Sequence, residues 1–178
     1  YQSVSKETNI LESRLQSVGT KGYSQLKGAG LDATDALAES ERVMRMAADA
    51  AAYYNISLED ADTRIRSFMR GNTEAGDAIG LFTSESQRNI HALDAYGQKY
   101  IELTEAQKQL LMLDISQDIY KSNGVWGQAA RESMEYANVT ANAAEAGTLS
   151  LATFGTQINN SLIPALDNLT NWLMDDAT

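Results

Sequence analysis

Apolar residues in this chain return at three- and four-residue steps, the spacing that lines one face of an α-helix. The longest such series is Leu151, Phe154, Ile158, Leu162, Leu166, Leu169 and Leu173. Ahead of it, one start signal recurs four times: an apolar residue, a side-chain oxygen, then an acid or amide near the third position. The instances are Leu31-Asp32-Ala33-Thr34-Asp35, Ile56-Ser57-Leu58-Glu59-Asp60, Phe82-Thr83-Ser84-Glu85-Ser86-Gln87 and Leu103-Thr104-Glu105-Ala106-Gln107. A cap oxygen accepts from free amides of the first turn, and the third residue reaches back to the amide of the cap. Gly19 and Gly22, Asn55, Gly71-Asn72 and Asn123-Gly124 supply the matching stops. Together these signals predict helices over 5–18, 33–54, 58–70, 74–79, 84–95, 105–121, 127–146 and 150–174.

The pattern therefore predicts an all-α fold of several short to medium helices, arranged as hairpins or an elongated bundle. Pro164 interrupts the final stripe, and a proline inside a helix removes a donor and kinks it. The expected division is a Gly-punctuated lead-in over 1–31, a helical segment over 32–97 and a hairpin with an amphipathic last helix over 98–178, with the joining of the last two into one unit left open. The stretch 19–31, with Gly19, Gly22, Gly28 and Gly30, is the expected hinge. In the stripe, Leu151, Phe154, Ile158 and Leu162 are read as core, whereas Leu166, Leu169 and Leu173 are the candidate oligomer interface. Leu110-Leu111-Met112-Leu113 is dense enough to require burial on more than one side, and Tyr53-Tyr54 and Trp126 are read as packing residues.

Composition strengthens the helical reading. The 178 residues include 25 Ala and a single Pro, and alanine costs a helix least. Charge narrows function. Fourteen Lys and Arg against 24 Asp and Glu leave −10, which argues against a general nucleic-acid binder, because phosphate contacts need clustered cations. Cysteine is absent and His91 is the one histidine, which removes thiol nucleophiles, disulfides and His-rich zinc sites. No window approaches the ~18 uninterrupted apolar residues of a membrane span. The chain opens on Tyr1 and is read as a piece of a longer protein.

Candidate chemistry is sparse. His91 could serve as a general base if a serine and a carboxylate met it in space, but Asn89-Ile90-His91-Ala92-Leu93-Asp94 reads as ordinary helix. Asp60/Asp62 and Asp175/Asp176 lack the ligand alternation of a calcium loop. They read as first-turn dipole partners and a solvated tail. Gly71-Asn72-Thr73-Glu74-Ala75-Gly76 lacks the lysine and hydroxyl of a phosphate loop and reads as a helix-to-helix turn. No catalytic, cofactor or metal residue is expected.

An ordered set of short elements runs from about residue 44 to 173. An Ala-rich helix ends in Tyr53-Tyr54-Asn55, and Ile56-Ser57 opens the next. Then come Gly71-Asn72-Thr73-Glu74-Ala75, Ile79-Gly80-Leu81, Asn89 to Gly97, and Leu103-Thr104-Glu105-Ala106-Gln107-Lys108. Gly124 and Ala129 to Arg131 precede Ala137-Asn138 and Ala141-Asn142, and Gly155 leads to Leu162-Ile163-Pro164-Ala165-Leu166. In order and spacing this set resembles the tail tape measure proteins of tailed bacteriophages and prophages. Trp126-Gly127 stands where that family commonly has an aromatic-alanine pair, and Ile163 replaces a usual Leu.

The resemblance implies a long, mostly helical protein that fills the tail tube, sets tail length during assembly and leaves ahead of the DNA at ejection. It implies a homo-oligomer, a trimer, and as partners the tail tube, the tail tip or baseplate hub and tail assembly chaperones. It places the protein in the tail lumen of the virion and, during assembly, in the bacterial host cytoplasm. It implies neither sequence-specific nucleic-acid binding nor a membrane segment here. Two other classes fit the residues: a secreted helical effector or pore-forming helical protein, and a non-catalytic part of a tape-measure-linked cell-wall hydrolase.

Overall fold

The four cap signals each open a helix. The computed structural model describes residues 2–8, 10, 12–157, 160 and 164, without the side chains at 136–146, 149, 154, 155 and 157. Asp32 Oδ1 accepts from the amides of Thr34 and Asp35 at 2.8 and 2.9 Å. Ser57 Oγ accepts from Asp60 at 3.0 Å. Ser84 with Gln87, and Thr104 with Gln107, close reciprocal capping boxes. The resulting elements are α1 (Gln2–Thr8), α2 (Glu12–Ala29), α3 (Ala33–Tyr54), α4 (Leu58–Met69), α5 (Glu74–Asp77), α6 (Glu85–Tyr96), α7 (Glu105–Ser122) and α8 (Gln128–Gln157), with a 3-10 turn at Tyr100–Glu102 between α6 and α7. The fold is all-α, and no strand occurs among the described residues.

Two stop signals mislead. Gly19 and Gly22 do not end a helix near residue 18; α2 runs through both, and both are buried. Glycine costs a helix interior about 1 kcal/mol, and Gly22 faces α3 at ordinary packing distance. A Cβ on Gly22 would lie 3.6 Å from Ser40 Cβ and 3.9 Å from Val43 Cβ of α3. Leu15, Val18 and Leu26 share this buried face. The expected hinge over 19–31 is thus a packed helix, closed at Gly30 by the paired amide bonds Gly30 to Lys27 O and Leu31 to Leu26 O. Likewise α8 continues through Gly147, where a stop had been expected. The remainder of the expected 150–174 helix and the flanks of Pro164 lie outside the described residues.

Two units emerge, 1–133 and 134–178, and α8 crosses their division. In the first, α2 lies on α3, α3 on α4, and α7 against α2, α4 and α6. The boundary at 31/32 and the open one at 97/98 therefore both fall inside one core, shared by Leu26, Met44, Phe68 and Met112. Each such side chain contributes roughly 1.5–3 kcal/mol by leaving water. In the dense run on α7, Leu111, Met112 and Leu113 are fully buried and Leu110 is partly so.

Candidate functional site

Three of the elements singled out in the sequence, Tyr53-Tyr54, Gly80 and Trp126-Gly127, lie where α3 ends, α7 ends and α8 begins. Asp49 lies in the buried half of α3, 1% exposed. Its Oδ2 accepts from the amide of Gly127 at 2.8 Å and its Oδ1 from Ala129 at 3.1 Å. A carboxylate of one helix thus caps the first turn of another, 78 and 80 residues along the chain, where free amides and the helix dipole favour negative charge. Burial pushes the Asp49 carboxyl above the usual carboxylate range; the two amides and Arg45 oppose that rise.

Beside it, Tyr120 of α7 is fully buried, and its hydroxyl makes no hydrogen bond. Burial raises that phenol strongly, with Tyr54 and Asp49 adding to the effect. Tyr54 stands edge-on to Tyr53, with ring centroids 4.9 Å apart. It also covers Gly80, where φ is +68° and a Cβ would fall 2.1 Å from the phenol oxygen. Only a residue without a side chain fits that site unstrained. The Gly71-Asn72 turn closes α4 through Gly71 N–H to Phe68 O and Asn72 N–H to Ser67 O, the paired bonds of a glycine C-cap. Asn72 Oδ1 then accepts from Ala75 at the start of α5. Trp126 packs half-buried against the core, as expected. Arg131 folds back onto its turn, donating to Trp126 O and Gly124 O at 2.9 and 2.6 Å.

The residues weighed for chemistry are placed as follows. His91 lines a cleft of about 340 Å³ with Asp118, Ser122 and Thr83, but no hydrogen bond joins it to any of them among the described residues. Asp60 is an exposed first-turn residue of α4, as expected of the pair. Asp62 is not solvated: it is fully buried and held by Arg66, whose Nε donates to both carboxylate oxygens at 2.9 Å. Burial raises the Asp62 carboxyl while Arg66 pulls it down. No group of three or more His, Asp or Glu is placed to hold a metal ion among the described residues.

Leu151 corrects one expectation: it is 73% exposed and not a core residue. The stripe argument assigned intramolecular cover to the positions before Pro164, whereas a single exposed leucine is tolerated in water. The Phe154 side chain, together with Ile158, Leu162, Leu166, Leu169, Leu173 and Asp175/Asp176, lies outside the described residues.

A second cleft, about 650 Å³, opens between the end of α4, the face of α6, the 3-10 turn and the start of α7. Arg70, Arg88, Lys99 and Lys108 line it, with Glu85 and Glu105. The pattern along the chain did not single out this group, because its members come from separate elements. Asp49 left one trace: it is the sole charged residue between Met46 and Tyr54. No described helix is long and apolar enough to cross a membrane. The chain matches no family model, no curated protein and no solved structure with which it was compared.

Proposed function

We propose that the chain is a helical segment of a phage tail tape measure protein, a structural component of the tail with no catalytic role. The observation that carries this reading is the ordered set of elements from Tyr53-Tyr54 to Leu103-Thr104-Glu105-Ala106-Gln107-Lys108. They serve as joints of one helical unit: Tyr54 over Gly80, Gly71-Asn72 between α4 and α5, and the Thr104–Gln107 capping box that opens α7. Residues that act as joints must keep their spacing, which gives the resemblance a physical basis. The helical fold supports the reading further, since an extended helical protein rises ~1.5 Å per residue and its reach can follow residue count. The −10 charge suits a channel later shared with DNA, because like charge discourages adhesion.

In this role the chain is one part of a ruler, working with the tail tube, the tail tip and assembly chaperones in several parallel copies. The test uses a phage whose tape measure gene encodes this sequence. Purified tails should contain the chain. Inserting about 100 helix-forming residues in frame beside it should lengthen tails by about 150 Å, at ~1.5 Å per residue. Tails that lack the chain, or keep their length after insertion, refute the proposal. Clearing of peptidoglycan would favour the hydrolase-linked reading instead, and leakage from liposomes the effector reading.

A further inference from the structure

The cleft bounded by α4, α6, the 3-10 turn and α7 holds cations that the molecule does not neutralise. Lys108 pairs with Glu105 at 3.0 Å. Arg70, Arg88 and Lys99 have no ion pair among the described residues. Arg70 donates only to the Gln25 amide oxygen, at 2.8 Å. Arg88 lies over the Tyr100 ring, 5.2 Å from its centroid, and its Nε is shielded from solvent with no acceptor. Lys99 is exposed, and the floor and lip are apolar: Met69 is buried and Ile101 is 79% exposed. Acids outnumber bases 24 to 14 in this chain, whereas four cations against the two carboxylates Glu85 and Glu105 line this cleft, which gives it a local excess of positive charge beside an apolar floor.

We infer that this cleft docks the acidic carboxyl-terminal stretch of a second copy of the chain. Residues 134–178 contain Glu135, Glu145, Asp167, Asp175 and Asp176 and no Lys, Arg or His. In Leu166-Asp167-Asn168-Leu169 and Trp172-Leu173-Met174-Asp175-Asp176 that stretch sets apolar side chains beside carboxylates. The cleft offers the complement, guanidinium and ammonium groups around Met69, Tyr100 and Ile101. Guanidinium holds carboxylate through paired hydrogen bonds, so Arg70 and Arg88 suit this ligand. A patch on one copy meeting a different patch on the next is a heterologous contact, which closes into a ring or runs on as a filament. The inference rests on charge and on the cleft, independently of the tail reading.

Sedimentation velocity of the full chain tests it. At about 0.1 M salt the chain should self-associate, and at about 1 M the affinity should fall at least ~10-fold, as the screening length shrinks from ~10 to ~3 Å. Lys99→Glu should weaken association about 10-fold with the helical circular dichroism unchanged, because that side chain is exposed. Asp175→Lys should do the same from the other side. Combining the two in one chain should restore association to within about 3-fold, since the new glutamate and lysine meet across copies. A chain that stays monomeric overturns the inference, as does association indifferent to both substitutions. So does a double variant no better than either single one, or tighter cleft binding by inorganic phosphate than by a synthetic 162–178 peptide. None of these results bears on whether the chain is found in purified tails.

Discussion

Replacing Asp49 by alanine removes the one carboxylate that reaches from α3 to the start of α8. Two amides lose their acceptor. Ala129 N–H is buried, and a buried donor left without a partner costs about 1–3 kcal/mol. Gly127 N–H is half-buried and can recover a water, so its loss is set at about 1 kcal/mol or less. Against these stands a gain, because the substitution also ends the cost of holding a carboxylate at 1% exposure. The net expectation is a loss of about 2 kcal/mol. With a urea slope of about 1–3 kcal/mol per molar, the unfolding midpoint should fall by about 1 M at unchanged slope. The pH dependence gives a second, independent reading. Burial raises the folded-state pKa of Asp49, so the folded chain binds the proton more readily than the unfolded one. The stability linked to this group is present in full below the unfolded value of about 3.9 and declines as pH rises through the folded value. The advantage of the native chain over Asp49→Ala should therefore be larger at about pH 4 than at about pH 7. A midpoint shift below about 0.2 M would refute the capping role. An advantage that grows with pH would refute the claim that desolvation outweighs the amide bonds.

Gly80→Ala should cost about 2 kcal/mol, from left-handed backbone strain and the collision with Tyr54; adding Tyr54→Phe should recover part of the loss in thermal unfolding. Tyr120→Phe should be neutral or stabilising by up to about 1 kcal/mol, since the hydroxyl it removes has no partner, and a marked destabilisation would reveal a bond to water. Arg66→Ala should cost about 3–5 kcal/mol by leaving the Asp62 carboxylate buried alone. Without its partner that carboxyl rises further, so the deficit should be smaller near pH 4 than near pH 7, read from denaturation midpoints at about those values. His91→Ala should shift stability by less than about 0.5 kcal/mol, as expected for an exposed helix residue.

What the sequence made legible was local. Asp32, Ser57, Ser84 and Thr104 each bond an amide two or three residues away, so cap and partner stand in the same short window. The Gly71-Asn72 turn and the buried run on α7 were legible for the same reason. Gly22 shows where the reasoning fails. A glycine that ends a helix and one packed inside it look alike until the neighbour is known, and Ser40 of α3 is eighteen positions on. Asp62 and Arg66 stand four apart, a spacing that signals an ion pair, but their burial depends on the helices around α4. Asp49 is the extreme instance. Inside an alanine-rich helix an aspartate reads as a solvated residue on a polar face, and no local pattern announces an acceptor for amides 78 and 80 positions later. The same limit hides the cationic cleft, whose arginines and lysines are scattered over four elements and gather into a mainly positive surface only when α6 and α7 fold together. Helix boundaries follow from bonds within a few residues, whereas the groups that join or dock helices are set by contacts the chain makes at long range.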